Sequence, residues 1–209
     1  QKIENVERRA KYLLVHTGAG SALLHLGMSG SLRVLPAEVP PGPHDHFDWR
    51  RDSGHVLRYT DPRRFGCLLW QASDTMNPLL INLGPEPLGE EFDGAHLWKM
   101  SRGRSAPVKT FLMDQKIVVG VGNIYAAEAL FAAGIHPRRA AGSVSLARYE
   151  RLAAEAKRIL VHAIQRGGTT SRDLISPNGV PAYFEPPVRI YGRAGAPRTL
   201  SGPPLPPAL

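Results

Sequence analysis

Asp61-Pro-Arg-Arg-Phe-Gly66 puts two arginines and a phenylalanine at the tip of a turn, where a protein normally avoids exposing a ring. An aromatic ring flanked by guanidinium groups has the make-up of an apolar wedge. Such wedges enter between DNA base steps while arginines hold phosphates or an orphaned base. The plainer reading is that Phe65 opens the next buried strand. His25-Leu-Gly-Met-Ser-Gly-Ser31 repeats the theme: Met28 stands between glycines that free the backbone to present it, unless it simply fills core. Gly120-Val-Gly-Asn-Ile-Tyr125 is a glycine turn feeding a short, alanine-rich apolar helix that stops at Gly134. Unpaired backbone N–H groups at such a helix start attract anions, phosphate above all. Asn123 adds a side-chain donor and acceptor there; as a bare N-cap it would be unremarkable. Two nucleotide motifs fail at this turn, because Tyr125 occupies the third glycine position of a dinucleotide fingerprint and no Gly-Lys-Ser/Thr follows.

Two further groups have chemistry available to them. His44-Asp45-His46 looks like part of a metal site, but without other clustered ligands a loop histidine touching phosphate is favoured, and no metal site is expected. Lys11 precedes an apolar strand, so its ammonium can face the same basic surface or be an ordinary solvated lysine. Charge supports a polyanionic partner: 26 Lys and Arg against 18 Asp and Glu give a net +8. The one cysteine, Cys67, leaves no disulfide framework and no cysteine-built zinc site within the chain, which suits a reducing, cytoplasmic compartment. No apolar run approaches a membrane span, and no signal peptide is visible.

The elements that must position these residues follow from patterning. Tyr12–His16 and Ala22–Leu26 are apolar runs around a Thr17–Ser21 hairpin turn, and Ser31–Leu35 alternates as a half-buried strand does. Residues 36–46 form a proline-rich loop; His55–Thr60 and Phe65–Trp70 resume the strand pattern. Gly84-Pro-Glu-Pro-Leu88 punctuates the chain, and helical spacing follows. Val108, Phe111, Leu112 and Met113 suggest a short helix. Leu146 to Ile164 recurs at three- and four-residue steps, with Ser145 placed to cap it and Gly167-Gly168 to end it. The expected fold class is α+β: a partial N-terminal β-sandwich over 1–86, a helical DNA-binding domain over 87–185, and a remnant over 186–209 without regular structure. The start at Gln1 and the proline-rich Ser201–Leu209 are unlike the ends of a complete domain.

In order along the chain, Arg8-Arg-Ala-Lys-Tyr-Leu-Leu14, His25–Ser31, Arg58–Gly66, Leu83–Leu88, Leu112-Met-Asp114, Val118–Tyr125 and Gly167-Gly-Thr-Thr170 closely resemble bacterial formamidopyrimidine-DNA glycosylases. Any one segment is weak, whereas the colinear set is highly specific. The resemblance implies a β-sandwich followed by a helix–two-turn–helix domain and a zinc-finger hairpin. The implied activity is excision of oxidised purines such as 8-oxoguanine and formamidopyrimidines from duplex DNA, with cleavage at the abasic site. By resemblance, Met28, Arg63 and Phe65 fill the gap left by a flipped base, and His44, Arg63 and Arg104 contact DNA. Lys109 and Asn123 hold phosphates, Lys11 sits beside the reaction centre, and Thr169, Thr170 and Tyr183 belong to a loop over the lesion.

The departures lie at the ends. The family's nucleophile, the amine of an N-terminal proline followed by a glutamate acid/base, is not among these 209 residues, and neither are the four cysteines expected after Tyr191-Gly-Arg193. The expectation is therefore a monomeric, cytoplasmic, nucleoid-associated chain without a cofactor of its own. It binds double-stranded DNA with oxidised purines or abasic sites and is inactive alone, a non-catalytic binder of damaged DNA being the alternative.

Overall fold

The computed structural model describes residues 2–73, 75–165 and 190. They fall into two compact units, the first ending at Asn77 and the second beginning at Pro78.

The first unit holds two antiparallel sheets. One has the order β1-β2-β3-β7, from Ile3–Arg9, Tyr12–Thr17, Gly20–His25 and Cys67–Ala72; the other has the order β4-β6-β5, from Ser31–Pro36, His55–Thr60 and Asp45–Arg50. The β2–β3 hairpin closes through Gly20, whose φ of 141° only glycine adopts easily. Leu14, Val15, Leu23 and Leu24 are buried, so adjacent residues pointing to opposite faces are both covered on the central strands. The edge strands β1 and β7 are largely exposed.

Two strand boundaries differ from the sequence pattern. β7 begins at Cys67 rather than Phe65, which leaves Phe65 on the preceding turn. The proline-rich loop ends earlier than expected, because Asp45-His-Phe-Asp-Trp-Arg50 alternates in exposure and pairs with β6. β1 was not expected at all: its polar sequence is that of an exposed edge, which carries no burial pattern to find.

The second unit is helical: α1 (Pro78–Ile81), α2 (Gly94–Ser101), α3 (Val108–Met113), α4 (Asn123–Ala132) and α5 (Leu146–Gln165). Asp93 caps α2 by accepting the His96 N–H at 2.7 Å. α4 ends in a Schellman arrangement, with Gly134 at φ 69° and its N–H on the Phe131 carbonyl, while the Ile135 N–H reaches Leu130. α5 buries Tyr149, Leu152, Ala153, Ala156, Leu160 and Ala163, one stripe of a 3.6-residue repeat, against the core of Phe92, Leu97, Phe111, Leu112 and Leu130. Gly167-Gly168, expected to end α5, lie outside the described residues, as does the 186–209 remnant apart from Ile190.

Candidate nucleic-acid interface

The first unit carries candidate residues on three loops that meet at Asp61. Asp61 follows β6 and is 1% exposed. Its Oδ1 accepts the Ser29 hydroxyl at 2.6 Å; its Oδ2 accepts the Tyr59 hydroxyl at 3.0 Å and the Gly66 N–H at 2.9 Å. The backbone of Asp61 is engaged as well. Its N–H donates to the His44 carbonyl at 2.9 Å, its carbonyl accepts His46 Nε2–H at 2.8 Å, and the Arg64 N–H closes a turn on it at 3.3 Å. The turn also holds Arg64 at φ 57°, an unusual conformation for a non-glycine residue.

Out of this fixed base the expected wedge residues project. Met28 is 64% exposed and Phe65 58%, so neither starts a buried strand nor fills core. The Arg63 guanidinium lies 4.7 Å from the Phe65 ring centroid, a cation–π contact that holds charge and ring together. The two tips come close because Gly27 and Gly66 let them: a Cβ on Gly27 would sit 2.6 Å from Gly66 N and from Phe65 C. His44 is exposed, on a loop whose start and following residue are held by Arg58, which is 2% exposed and lies 3.5 Å from Asp45. Arg58 grips Asp48 through Nε and Nη2, both at 2.8 Å, and donates to the carbonyls of Val39 and Pro40.

Burial by itself would raise the Asp61 pKa, but the hydrogen bonds from Ser29, Gly66, Tyr59 and the Arg63 backbone outweigh it and hold the carboxyl at about 2, against 3.8 ordinarily. A depressed folded-state pKa contributes stability that is fully present above the unfolded value and lost as pH falls through the folded one. In acid unfolding, the stability advantage of the native chain over Asp61→Asn is therefore expected to hold above pH 3.8 and vanish as pH falls toward about 2. Urea midpoints measured across that range check it.

Lys11 occupies the β1–β2 turn, after Ala10 at φ 55°. Burial lowers its pKa from the ordinary value. His25 is lowered too, first by burial and then by the Lys11 charge. His25 pairs across the sheet with Tyr12, their rings 5.1 Å apart, and its Nδ1 accepts the Gly27 N–H at 3.0 Å. An amine shifted toward neutrality thus lies in the electrostatic reach of the histidine that leads into the Met28 loop.

The second unit brings its residues to the α3–α4 corner. Lys109 lies in the first turn of α3, half-buried, with its N–H on the Pro137 carbonyl at 3.2 Å. Asn123 is exposed and is the first residue of α4; the N-cap is Gly122, which supplies no side-chain hydrogen bond. The N-cap reading of Asn123 is therefore corrected: its amide is one position too far along to cap. The turn before it is strapped down by Gly84, whose N–H reaches the Gln115 carbonyl at 2.8 Å and which has no room for a Cβ against Ile117. Arg104 is exposed, lies 3.9 Å from Asp114 and stands over the Phe111 ring. Thr169, Thr170 and Tyr183 lie outside the described residues.

The structure adds Asp61, Ser29 and Arg58 to what the sequence singled out. Arg58 was findable, since a charged residue beside Val56 and Tyr59 in an apolar strand demands a buried partner. Among the described residues no group of three or more His, Cys, Asp or Glu could hold a metal ion. The single cysteine, Cys67, stands opposite His25 in the sheet. These residues do not fit a zinc finger.

The first unit pairs two antiparallel sheets, and the second is a helical unit with a glycine corner before α4. The formamidopyrimidine-DNA glycosylase N-terminal domain matches residues 1–68, and the formamidopyrimidine-DNA glycosylase H2TH domain matches residues 83–174. The chain belongs to the formamidopyrimidine-DNA glycosylase family. It is 64% identical over 197 residues to the formamidopyrimidine-DNA glycosylase of Stenotrophomonas maltophilia K279a, covering 94% of this chain and 73% of that relative. The relative from Xanthomonas oryzae pv. oryzae PXO99A is 64% identical over 196 residues, 93% of this chain and 72% of its own length. Among solved structures, the MutM (Fpg) protein of Thermus thermophilus superposes with a TM-score of 0.86 at 36% identity, over 98% of this chain and 77% of that one. A complex of Lactococcus lactis Fpg with DNA containing an abasic site gives 0.87 at 28% identity, over 98% and 76%.

Proposed function

We propose that this chain is the lesion-gripping body of a base-excision repair enzyme acting on oxidised purines, 8-oxoguanine and formamidopyrimidines among them, and on abasic sites in duplex DNA. Met28, Arg63 and Phe65 fill the space left by an extruded base. His44, Arg104, Lys109 and Asn123 hold the backbone, Lys11 lies beside the reacting sugar, and Thr169, Thr170 and Tyr183 cover the displaced base. The chain works as a monomer. The carrying observation is the exposure of Met28 and Phe65 on two tips fixed from beneath by Asp61. Large apolar side chains held rigidly in water need a partner to justify them, and the net charge of +8 selects a polyanion. Among the described residues no helix is long and apolar enough to cross a membrane.

Titrating the chain against matched duplexes, one intact and one with a tetrahydrofuran abasic analogue, tests this reading. Tighter binding to the analogue is expected, and equal affinity sinks it. The 209 residues include no N-terminal proline amine, so by themselves they are expected to bind without excising. Borohydride treatment then traps no protein–DNA adduct; an adduct mapped to Lys11 would overturn that part.

Lys109 carries a separate expectation. A phosphate contact adds affinity without sequence or lesion information. Lys109→Ala should weaken binding to both duplexes by the same factor and reduce the slope of log K against log salt by about 1. A salt titration of both proteins reads it directly.

A further inference from the structure

Met28 and the Arg63–Phe65 pair come from loops more than thirty residues apart in sequence, yet the same few atoms fix both. Ser29, next to Met28, is the junction: its Oγ donates to Asp61 Oδ1 at 2.6 Å and accepts the Arg63 N–H at 3.3 Å. The other carboxylate oxygen takes the Gly66 N–H, immediately after Phe65, and the Tyr59 hydroxyl. Tyr59 in turn lies 3.4 Å from the carbonyl of Leu26, where the Met28 loop starts, and the Gly30 N–H closes that loop on the same carbonyl at 2.9 Å. Asp61, Ser29 and Tyr59 are 1%, 7% and 4% exposed, so water does not substitute for a lost partner.

We propose that Asp61 is a positioning residue that, through Ser29, joins the Met28 loop and the Arg63–Phe65 turn into one rigid wedge. It makes the two tips enter DNA together. This rests on the reading of those tips as the void-filling part of a lesion-binding site. The carboxylate is required because every group facing it donates. An asparagine of the same shape offers one acceptor oxygen, and its NH₂ confronts either the Ser29 hydroxyl or the Gly66 N–H and Tyr59 hydroxyl together.

The test uses the 209-residue chain, with two variants and two readouts. The ¹³C-methyl signal of Met28, in a protein with only four methionines, reports loop order without DNA. The fluorescence of 2-aminopurine placed opposite a tetrahydrofuran site reports wedge insertion. Asp61→Asn and Ser29→Ala are each expected to shift and broaden the Met28 methyl signal. Each should also lower the preference for abasic over intact duplex by about tenfold, with intact-duplex affinity within about twofold. The double variant should do no more than Asp61→Asn alone, as for two members of one network. Ser29→Ala removes a single hydroxyl, so it keeps the test decisive if Asp61→Asn fails to fold.

The coupling is overturned if folded Ser29→Ala leaves both the Met28 signal and the 2-aminopurine response as in the native chain. If the native chain itself shows no abasic preference while its Met28 signal still responds to Ser29→Ala, the lesion-binding reading falls and the coupling stands.

Discussion

Phe65→Ala is expected to cost about 1–3 kcal/mol of binding to a duplex with an abasic site, roughly 5- to 150-fold, with affinity for intact duplex nearly unchanged. The asymmetry is the point. On intact DNA the bases are stacked and offer the ring no opening, so little is lost with it. At a gap, the ring restores the stacking that the missing base took away. The folded chain should tolerate the change well, because the ring is 58% exposed and its described ring contact is the Arg63 guanidinium at 4.7 Å. Loss of that contact frees Arg63 to sample other rotamers, which adds to the penalty at the lesion. Paired titrations of the two duplexes, with thermal melts alongside, separate binding from stability. An equal loss on both duplexes would recast Phe65 as a general contact.

Leu112→Ala is expected to destabilise the helical unit by about 2–5 kcal/mol, the range for emptying a fully buried leucine site. Leu112 is 0% exposed, in a core with Leu97, Phe111, Leu130, Tyr149 and Leu152. For a unit of this size each kcal/mol moves the melting midpoint by about 4–8 °C, so a drop of at least about 8 °C should appear in calorimetry. Lys109 lies three residues earlier on the same six-residue helix, which is too short to persist without its buried face. The phosphate contact proposed for Lys109 should therefore weaken wherever Leu112→Ala loosens that core. A melt unchanged to within about 2 °C would mean that the site collapses onto the cavity.

Much of this was legible in the residues. The long helix and the β2–β3 hairpin announce themselves by period, since burial on one face leaves a repeat of 3.6 or 2 in the sequence. The two tips were legible as anomalies: a ring or a thioether between turn residues is out of place in a core-forming pattern. What did not show was whatever depends on pairing distant segments. Nothing near Asp61 in sequence announces Ser29, and Asp48 becomes a partner of Arg58 only when β5 aligns with β6. α2 was missed although Asp93, its cap, stands directly before it; eight residues carry too few turns to establish a repeat against the background. Family motifs supplied roles for Lys109 and Asn123, but only the backbone showed that Gly122, not Asn123, is the N-cap of α4.

That helix start has a consequence for how the chain stores free energy. α4 is capped by Gly122, which has no side chain to turn back on the first turn. A serine or aspartate there would have completed the helix internally and made it indifferent to its surroundings. As it stands, the first turn lacks that side-chain acceptor. The phosphate contact proposed for Asn123, made at this helix start, would then link the affinity for DNA to the stability of the helix, one quantity measured from two sides.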